Sequence, residues 1–502
     1  MVTNRRLDLV LVNPGNRSQV FQSLASNLAA IEPPVWTGLI ATFIRARGFA
    51  VQIVDAEGEG LSFHETAHRI IDMDPTLTAV IVYGHQPSAS TQNMPAAGEL
   101  CTILKERAPD LKTILVGGHV AALPERTLLE ENVDFTCDGE GPHTIFQLLQ
   151  ALTNKEPDLR KVGGLLYRDG GAIARSGPAP LVSDLDVEMP GIAWDLLPMQ
   201  NYRAHNWHCF GDLVREPYAS FYTTLGCPFR CSFCCIQSPF KTGESLMGLK
   251  AATNSYRMWK PRTIIAEIDK LVTEYGIRNI KIADELFVLN PKHVTDLCDL
   301  LIERNYNLNI WAYARVDTVK EEMVEKLKRA GVSWLAFGIE AASERVRDDV
   351  EKGFDQNDIA KTIGKVRAAG INVIGNFIFG LPEDDLPSMQ ATLDLALNLN
   401  CEFANFYVAM AYPGSQLYND ALRKDWPLPE TWNGYSQHAV DTLPLPTKYL
   451  SAAEVLRFRD DAFQFYFKNP SYLSMISKKF GAETAAHIRE MASHKLERRY
   501  LS

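Results

Sequence analysis

Two successive β/α series predict an α/β protein: a doubly wound parallel sheet, then a partial (β/α)6 TIM barrel, then a mainly helical C-terminal region. Three observations carry this expectation. Short β-branched runs alternate with stretches of helical period from Leu7 to about Asn154, and a second alternation of the same kind begins near Ala219. The length of 502 residues also exceeds what one hydrophobic core sustains, so two or three domains follow.

In the first series the strands are expected at Leu7–Pro14, Val51–Ala56, Leu77–Gly84, Lys112–Gly118 and Asp134–Gly141. The first helix, Pro34–Gly48, repeats apolar Leu39, Ile40, Phe43 and Ile44, starts at a proline and stops at a glycine. Five such units suit a flavodoxin-like sheet, whose ligands sit beyond the carboxyl ends of the strands. This domain is assigned residues 1–155. Residues 156–211 are less periodic and read as a linker, with a hairpin through Gly164–Ala174. The second series, residues 212–415, places strands at Ala219–Gly226, Asn279–Phe287, Leu308–Asp317, Val332–Glu340, Ile371–Gly380 and Cys401–Met410. Six units fall two short of a full barrel, and barrel active sites lie at the carboxyl ends of the strands. A Pro- and aromatic-rich stretch and then helices fill 416–502.

Composition narrows the function. Hydrophobic residues make up 46% and charged residues 22%, and no apolar run approaches the roughly 20 residues of a membrane span. Met1-Val-Thr-Asn-Arg-Arg leads straight into a strand with no signal-peptide core, so a cytoplasmic address is expected. A net charge of −10 disfavours nucleic acid as the main partner. Nine cysteines in such a chain fit thiols and metal ligands better than disulfides.

Three of them stand at C-x3-C-x2-C in Gly226-Cys227-Pro-Phe-Arg-Cys231-Ser-Phe-Cys234, just after the first barrel strand. Fe–S clusters normally take four cysteines, so a three-cysteine loop leaves one iron open to a non-protein ligand. The alternatives are a zinc site completed by a distant histidine, or packed core thiols. Cys235 offers a second register, C-x3-C-x3-C, and reads better as a bystander thiol.

This loop, with aromatic Phe233 before its third cysteine, resembles the signature of the radical S-adenosylmethionine (SAM) superfamily. The resemblance implies a [4Fe-4S] cluster on Cys227, Cys231 and Cys234, SAM on the open iron, and an electron donor such as flavodoxin or ferredoxin. Segments around Lys281–Phe287, Trp311–Asp317, Phe337–Ser343 and Phe379–Glu383 look like the family's later strand ends. Their polar residues Glu285, Arg315, Glu340 and Ser343 are therefore expected to hold SAM; the other reading of each charged one is an ion pair bracing the barrel.

The first strand ends without the G-x-G-x-x-G of a nicotinamide site. Pro33-Pro34, Gly117-Gly118-His119 and Gly139-Glu140-Gly141 instead resemble the cobalamin (B12)-binding domain that precedes the barrel in one branch of radical SAM enzymes. Glycines at strand ends let backbone approach a large flat ligand, although ordinary turn chemistry explains each one alone. Asn13, His85, Gln86 and Ser88 are expected to join these residues around the corrinoid. D-x-H-x-x-G, which supplies a lower axial histidine elsewhere, is absent from the sequence.

The resemblance implies C-methylation of an unactivated carbon of a small-molecule substrate by way of methylcobalamin. Rearrangement, cyclisation or ring contraction without methyl transfer is the alternative, and a non-catalytic corrinoid or electron carrier a third. The stretches Asn201–Phe210 and Tyr412, Tyr435–His438 are candidates to line the substrate space.

Overall fold

The computed structural model describes residues 7–15, 20, 22, 28–84, 86–211, 213–354 and 356–501. Its first sheet has seven strands: β1 (Leu9–Asn13), β2 (Val51–Asp55), β3 (Leu77–Ile81), β4 (Thr113–Val116), β5 (Phe135–Cys137), β6 (Leu165–Asp169) and β7 (Ala172–Arg175). They lie in the order β2-β1-β3-β4-β5-β6-β7. The first five pair in parallel, the expected flavodoxin-like order, and β6 and β7 continue the sheet antiparallel. Leu9 and Leu11 of β1 feed one apolar core while Val10 and Val12 feed the other, as a strand covered on both faces requires. Helix α1 (Val35–Arg45) buries Leu39, Ile40, Phe43 and Ile44 against the first of these.

The hairpin expected at Gly164–Ala174 is present as β6–β7, with Cys137 opposite Leu165, so part of the 156–211 segment extends the N-terminal sheet.

The second sheet is parallel throughout, in the order β8 (Tyr218–Phe221), β11 (Asn279–Ile282), β12 (Asn309–Ala314), β13 (Val332–Glu340), β14 (Asn372–Phe379) and β15 (Phe403–Val408). β9 (Thr224–Leu225) and β10 (Arg257–Met258) pair antiparallel and frame the loop that follows β9. Because β8 and β15 are edge strands, the barrel is open on one side. The amino ends of its strands are plugged by the segment 207–210. His208 Nε2 lies 3.0 Å from the Asn309 carbonyl, Asn309 Nδ2 donates back to the His208 carbonyl, and Trp207 meets Trp311, Trp334 and Phe403. Helices Ala452–Phe467, Pro470–Phe480 and Ala482–Met491 form the C-terminal region. Tyr466 and Tyr472 hydroxyls anchor them to the Cys401 and Glu402 carbonyls. No helix among the described residues is long and apolar enough to cross a membrane.

Candidate active site

The cysteine loop hangs between β9 and β10. It opens at Gly226, whose φ of +85° suits glycine and where a Cβ would stand 2.3 Å from the Ser255 carbonyl oxygen. Gln237 accepts the Cys227 amide at 3.3 Å while donating to Ser255 Oγ at 2.9 Å; Asn254 Nδ2 donates to the Cys227 and Phe229 carbonyls. The Ser232 amide reaches the Val350 carbonyl, and the Leu417 amide the Ser232 carbonyl. The loop is thus fixed from three sides before any ligand arrives.

Burial pushes the Cys227 thiol up to about 12, and raises those of Cys234 and Cys231. Such thiols stay protonated unless a cation replaces the lost water. Among the described residues no three His, Cys, Asp or Glu side chains converge to hold a single ion. A cubane asks for something else, since each thiolate binds a different iron.

Positive charge stands ready at Cys231. Arg315 Nη1 is 3.9 Å from its Sγ, and the guanidinium covers the Phe229 ring at 4.2 Å while Nε donates to Asp317 at 2.8 Å. Lys352, which the motifs did not single out, pairs with Glu340 and lies 6.0 Å from the Phe233 ring centroid. Glu340 ends β13 with φ +61°, where pairing to β14 slips by one residue. A left-handed backbone at a non-glycine residue marks a strained position of the kind found at functional sites. Gly338 leaves room for the pair, since a Cβ there would meet Lys352 Nζ at 2.6 Å and Glu340 Oε1 at 2.7 Å. Phe233 packs against the apolar group of Ala341, Val346 and Val350. Ser343 precedes the short helix Glu344–Asp349. The turn is locked by wholly buried Arg347, which donates to the carbonyls of Ala341 and Ala342 at 2.7 Å and of Phe354 at 2.9 Å. Glu285 is half-buried, and burial pushes its carboxyl up to about 7 against the pull of Lys281. Its neighbour Asp284 is structural, accepting the Thr223 and Thr224 amides.

At the carboxyl edge of the first sheet the glycines divide. Gly117 and Gly141 are demanded by packing, because a Cβ would come within 2.6 Å of Val82 and of Val116. At Gly118 and Gly139 a Cβ would make only ordinary contacts, at 3.6 Å from Ser90 and from Thr242; Gly118 is half-buried and lines a small cavity, whereas Gly139 is buried. Gln86 is exposed and Ser88 half-exposed on the same edge. Asn13 lines the main cavity, but its amide donates to Asp55 at 2.7 Å, and Asp55 also accepts from the Tyr202 hydroxyl and the Gly58 amide. The Glu140 and His119 side chains are buried and have partners within the protein. Glu140 accepts two bonds from Arg257 and one from the Val182 amide. His119 is 2% exposed, its Nδ1 is 3.1 Å from Thr91 Oγ1, and burial pushes it down to about 3. His85 lies outside the described residues.

A cavity of about 340 Å³ runs from this edge into the barrel, lined by Asn13, Gly84 and Gln86 on one side and by Tyr222, Lys281 and Tyr313 on the other. At its wall Lys281 pairs with Glu32 at 3.0 Å, both buried, and Glu32 also accepts from the Tyr218 hydroxyl. A smaller cavity of about 30 Å³ adjoins it and reaches Gly226, Cys235 and Glu285 on the cysteine loop's side and Gly118 on the other. Trp36, Tyr83, Gly84 and Tyr222 line both cavities. Trp36 stacks on Tyr83 at 4.4 Å.

Residues 221–396 match the radical SAM superfamily and residues 22–149 the B12 binding domain. The chain belongs to the cobalamin-dependent radical SAM enzymes. It is 27% identical to an uncharacterised methyltransferase of Pyrococcus horikoshii, over 93% of this chain and 94% of that protein. It is 26% identical to the anaerobic magnesium-protoporphyrin IX monomethyl ester cyclase of Cereibacter sphaeroides, over 82% of this chain but only 63% of the cyclase. Its fold matches that of the radical SAM methyltransferase TsrM from Kitasatospora setae, solved with cobalamin and a [4Fe-4S] cluster bound, with a TM-score of 0.66 at 15% identity over 97% of this chain and 100% of that one. As a cobalamin-dependent radical SAM enzyme the protein uses a [4Fe-4S] cluster, SAM and cobalamin. The cysteine loop fits the cluster, and the cavity edge lined by Gly118 and Gln86 fits the corrinoid. Lys352, Arg347 and the Glu32–Lys281 pair escaped the sequence reading because they lie outside the recognisable motifs or carry partners remote in sequence.

Proposed function

We propose that this enzyme is a C-methyltransferase, moving a methyl group from SAM by way of cobalamin to an unactivated carbon of a small-molecule substrate. One observation carries the reading: the cysteine loop and the corrinoid edge open onto adjoining cavities that share Trp36, Tyr83, Gly84 and Tyr222. An electron carrier needs no substrate-sized space between its two centres. When bound, the cluster with SAM supplies a radical that abstracts hydrogen, and cobalamin supplies the methyl group.

The chain's own residues bind, orient and shield. Cys227, Cys231 and Cys234 would hold the cluster and leave one iron open for SAM. Arg315 and Lys352 offset thiolate charge at Cys231, which burial otherwise opposes. Glu340, on its strained turn, and Ser343 would help hold SAM, with Phe233 packed against the neighbouring Ala341. Glu285 stands where the cysteine loop meets the small cavity and would orient SAM from that side. Gly118, Gly139, Gln86 and Ser88 cradle the corrinoid, with Asn13 at the margin. The Trp36–Tyr83 stack excludes water from the passage between the two sites. Electrons come from a small reductant protein of the flavodoxin or ferredoxin class.

The likeness to the ester cyclase favours a second reading, cyclisation without methyl transfer. Anaerobic incubation of reconstituted protein with cobalamin, SAM, a strong reductant and a cell extract, followed by mass spectrometry, separates the two. Methyl transfer gives 5′-deoxyadenosine, S-adenosylhomocysteine and a metabolite heavier by CH2. Deoxyadenosine without the other two supports cyclisation.

A further inference from the structure

The wall of the main cavity formed by the C-terminal helices carries a charge imbalance. Arg459, on helix Ala452–Phe467, lines the cavity and is 5% exposed. Its Nε donates to the Phe406 carbonyl at 2.7 Å, its Nη1 to Asp460 Oδ1 at 2.7 Å, and its Nη2 lies 3.5 Å from His438 Nε2. Asp460 is shared: Arg498 donates to the same carboxylate at 2.9 and 3.0 Å. Arg498 directs its other donors to the Ala439 and Gln437 carbonyls and to Thr442. His438 also lines the cavity, and burial together with the two guanidinium charges pushes it down to about 3, so it is neutral at physiological pH. Two guanidiniums, one carboxylate and a neutral imidazole leave one net positive charge.

A buried positive charge only partly offset by a shared carboxylate is costly, and a guanidinium has five N–H donors, of which the described contacts of Arg459 engage three. The Glu32–Lys281 pair at another part of the wall is balanced and makes no such demand. Around Arg459 the lining is apolar and aromatic, with Phe406 and Phe463 beside it, a surface suited to a ring or hydrocarbon body.

We propose that Arg459, with His438 beside it, is an oxyanion-recognition site, and that the substrate carries a carboxylate or phosphate on an apolar body. This names a substrate class for the reaction proposed above and rests on that reading in placing the substrate in this cavity. A guanidinium recognises either group through paired N–H donors, so the shared chemistry is the oxyanion.

Equilibrium dialysis of the anaerobic, cluster- and cobalamin-loaded protein tests this without turnover, so its result is independent of whether methyl transfer is observed. The probes are 1-naphthoate against 1-naphthalenemethanol, and 1-naphthyl phosphate against 1-naphthol. The wild-type protein is expected to bind the anion of at least one pair about tenfold more tightly than its neutral partner, a modest value for a charge-assisted contact. The pair with the larger ratio distinguishes carboxylate from phosphate. Arg459→Gln brings the ratio to about one while leaving the neutral probes unchanged, and Arg459→Lys retains part of it. Equal dialysis of both members of both pairs by the wild-type protein, whether both are bound or both excluded, overturns the proposal; this arm also decides the matter if Arg459→Gln fails to fold. A preference that survives in folded Arg459→Gln overturns it equally.

Discussion

Replacing Glu140 by Gln separates a bracing role from a ligand-binding one. The Glu140 carboxylate accepts Arg257 Nη2 at 2.7 Å and Nη1 at 3.2 Å, and the Val182 amide at 2.9 Å. The side chains of the pair are 2% and 6% exposed, so the solvent screening that weakens surface pairs does not apply. Without the carboxylate, Arg257 keeps the Val182 carbonyl at 2.6 Å, but its charge is uncompensated and its Nε already lacks a partner among the described residues. Two charge-assisted bonds at roughly 1.5–3 kcal/mol each agree with the roughly 3–5 kcal/mol seen when one member of a buried pair is removed. Because Glu140 belongs to the B12-binding domain and Arg257 to β10 beside the cysteine loop, the loss falls on the joint between domains. Urea unfolding followed by both tryptophan fluorescence and far-ultraviolet circular dichroism should show a loss of about 3–5 kcal/mol, with coincident probes licensing a single value. The double variant Glu140→Leu/Arg257→Met should recover most of it, as apolar replacements of buried pairs often do. A loss below about 1 kcal/mol, or weakened corrinoid binding with unchanged stability, would refute the bracing role and return Glu140 to the cofactor.

Three further expectations follow from the same geometry. The triple variant Cys227/Cys231/Cys234→Ala should still bind cobalamin, seen by its visible absorbance after gel filtration, yet cleave no SAM; any retained deoxyadenosine contradicts the cluster assignment. Gly338→Ala should displace the Lys352–Glu340 pair, whose side-chain ends can shift, so stability stays within about 1 kcal/mol while SAM affinity falls about tenfold by isothermal titration. Unchanged affinity would remove that pair from the SAM site. His208, wholly buried, is pushed down to about 3 from 6.5, so it stabilises the fold at neutral pH and that contribution is lost as pH falls from about 6.5 toward 3. Between pH 7 and 5 this amounts to about 2 kcal/mol. The stability lost over that interval should therefore be smaller by about this amount in His208→Gln than in the wild type, and equal losses would contradict it.

Much of the architecture was legible because strand and helix periods differ and because packing demands them locally. Five of the six barrel strands fall within the expected segments and β8 begins one residue before its own, since alternate residues of each must face the interior, and the three cysteines were visible as a spacing. What sequence could not supply is partnership across the chain. Glu140 stands between two glycines of a ligand-type loop, and only the fold reveals Arg257, 117 positions away, on its carboxylate. Lys352 follows a short helix in an aperiodic stretch and gains meaning from Glu340 and Gly338. His119 and Asn13 occupy the expected edge, yet Thr91 and Asp55 claim their polar atoms. The stretch Asn201–Phe210 was expected near the substrate; its Trp207 both lines the cavity and plugs the barrel's amino end, two roles that one aromatic residue can combine.

The central claim is that the cluster and the corrinoid face one another across a shared space within a single chain. Electron paramagnetic resonance of the reduced holoenzyme tests it directly. Dipolar broadening of the cob(II)alamin signal that disappears in the Cys227/Cys231/Cys234→Ala variant is the predicted result. A cob(II)alamin signal equally narrow in both proteins, with the cluster shown to be present and paramagnetic, would contradict the account.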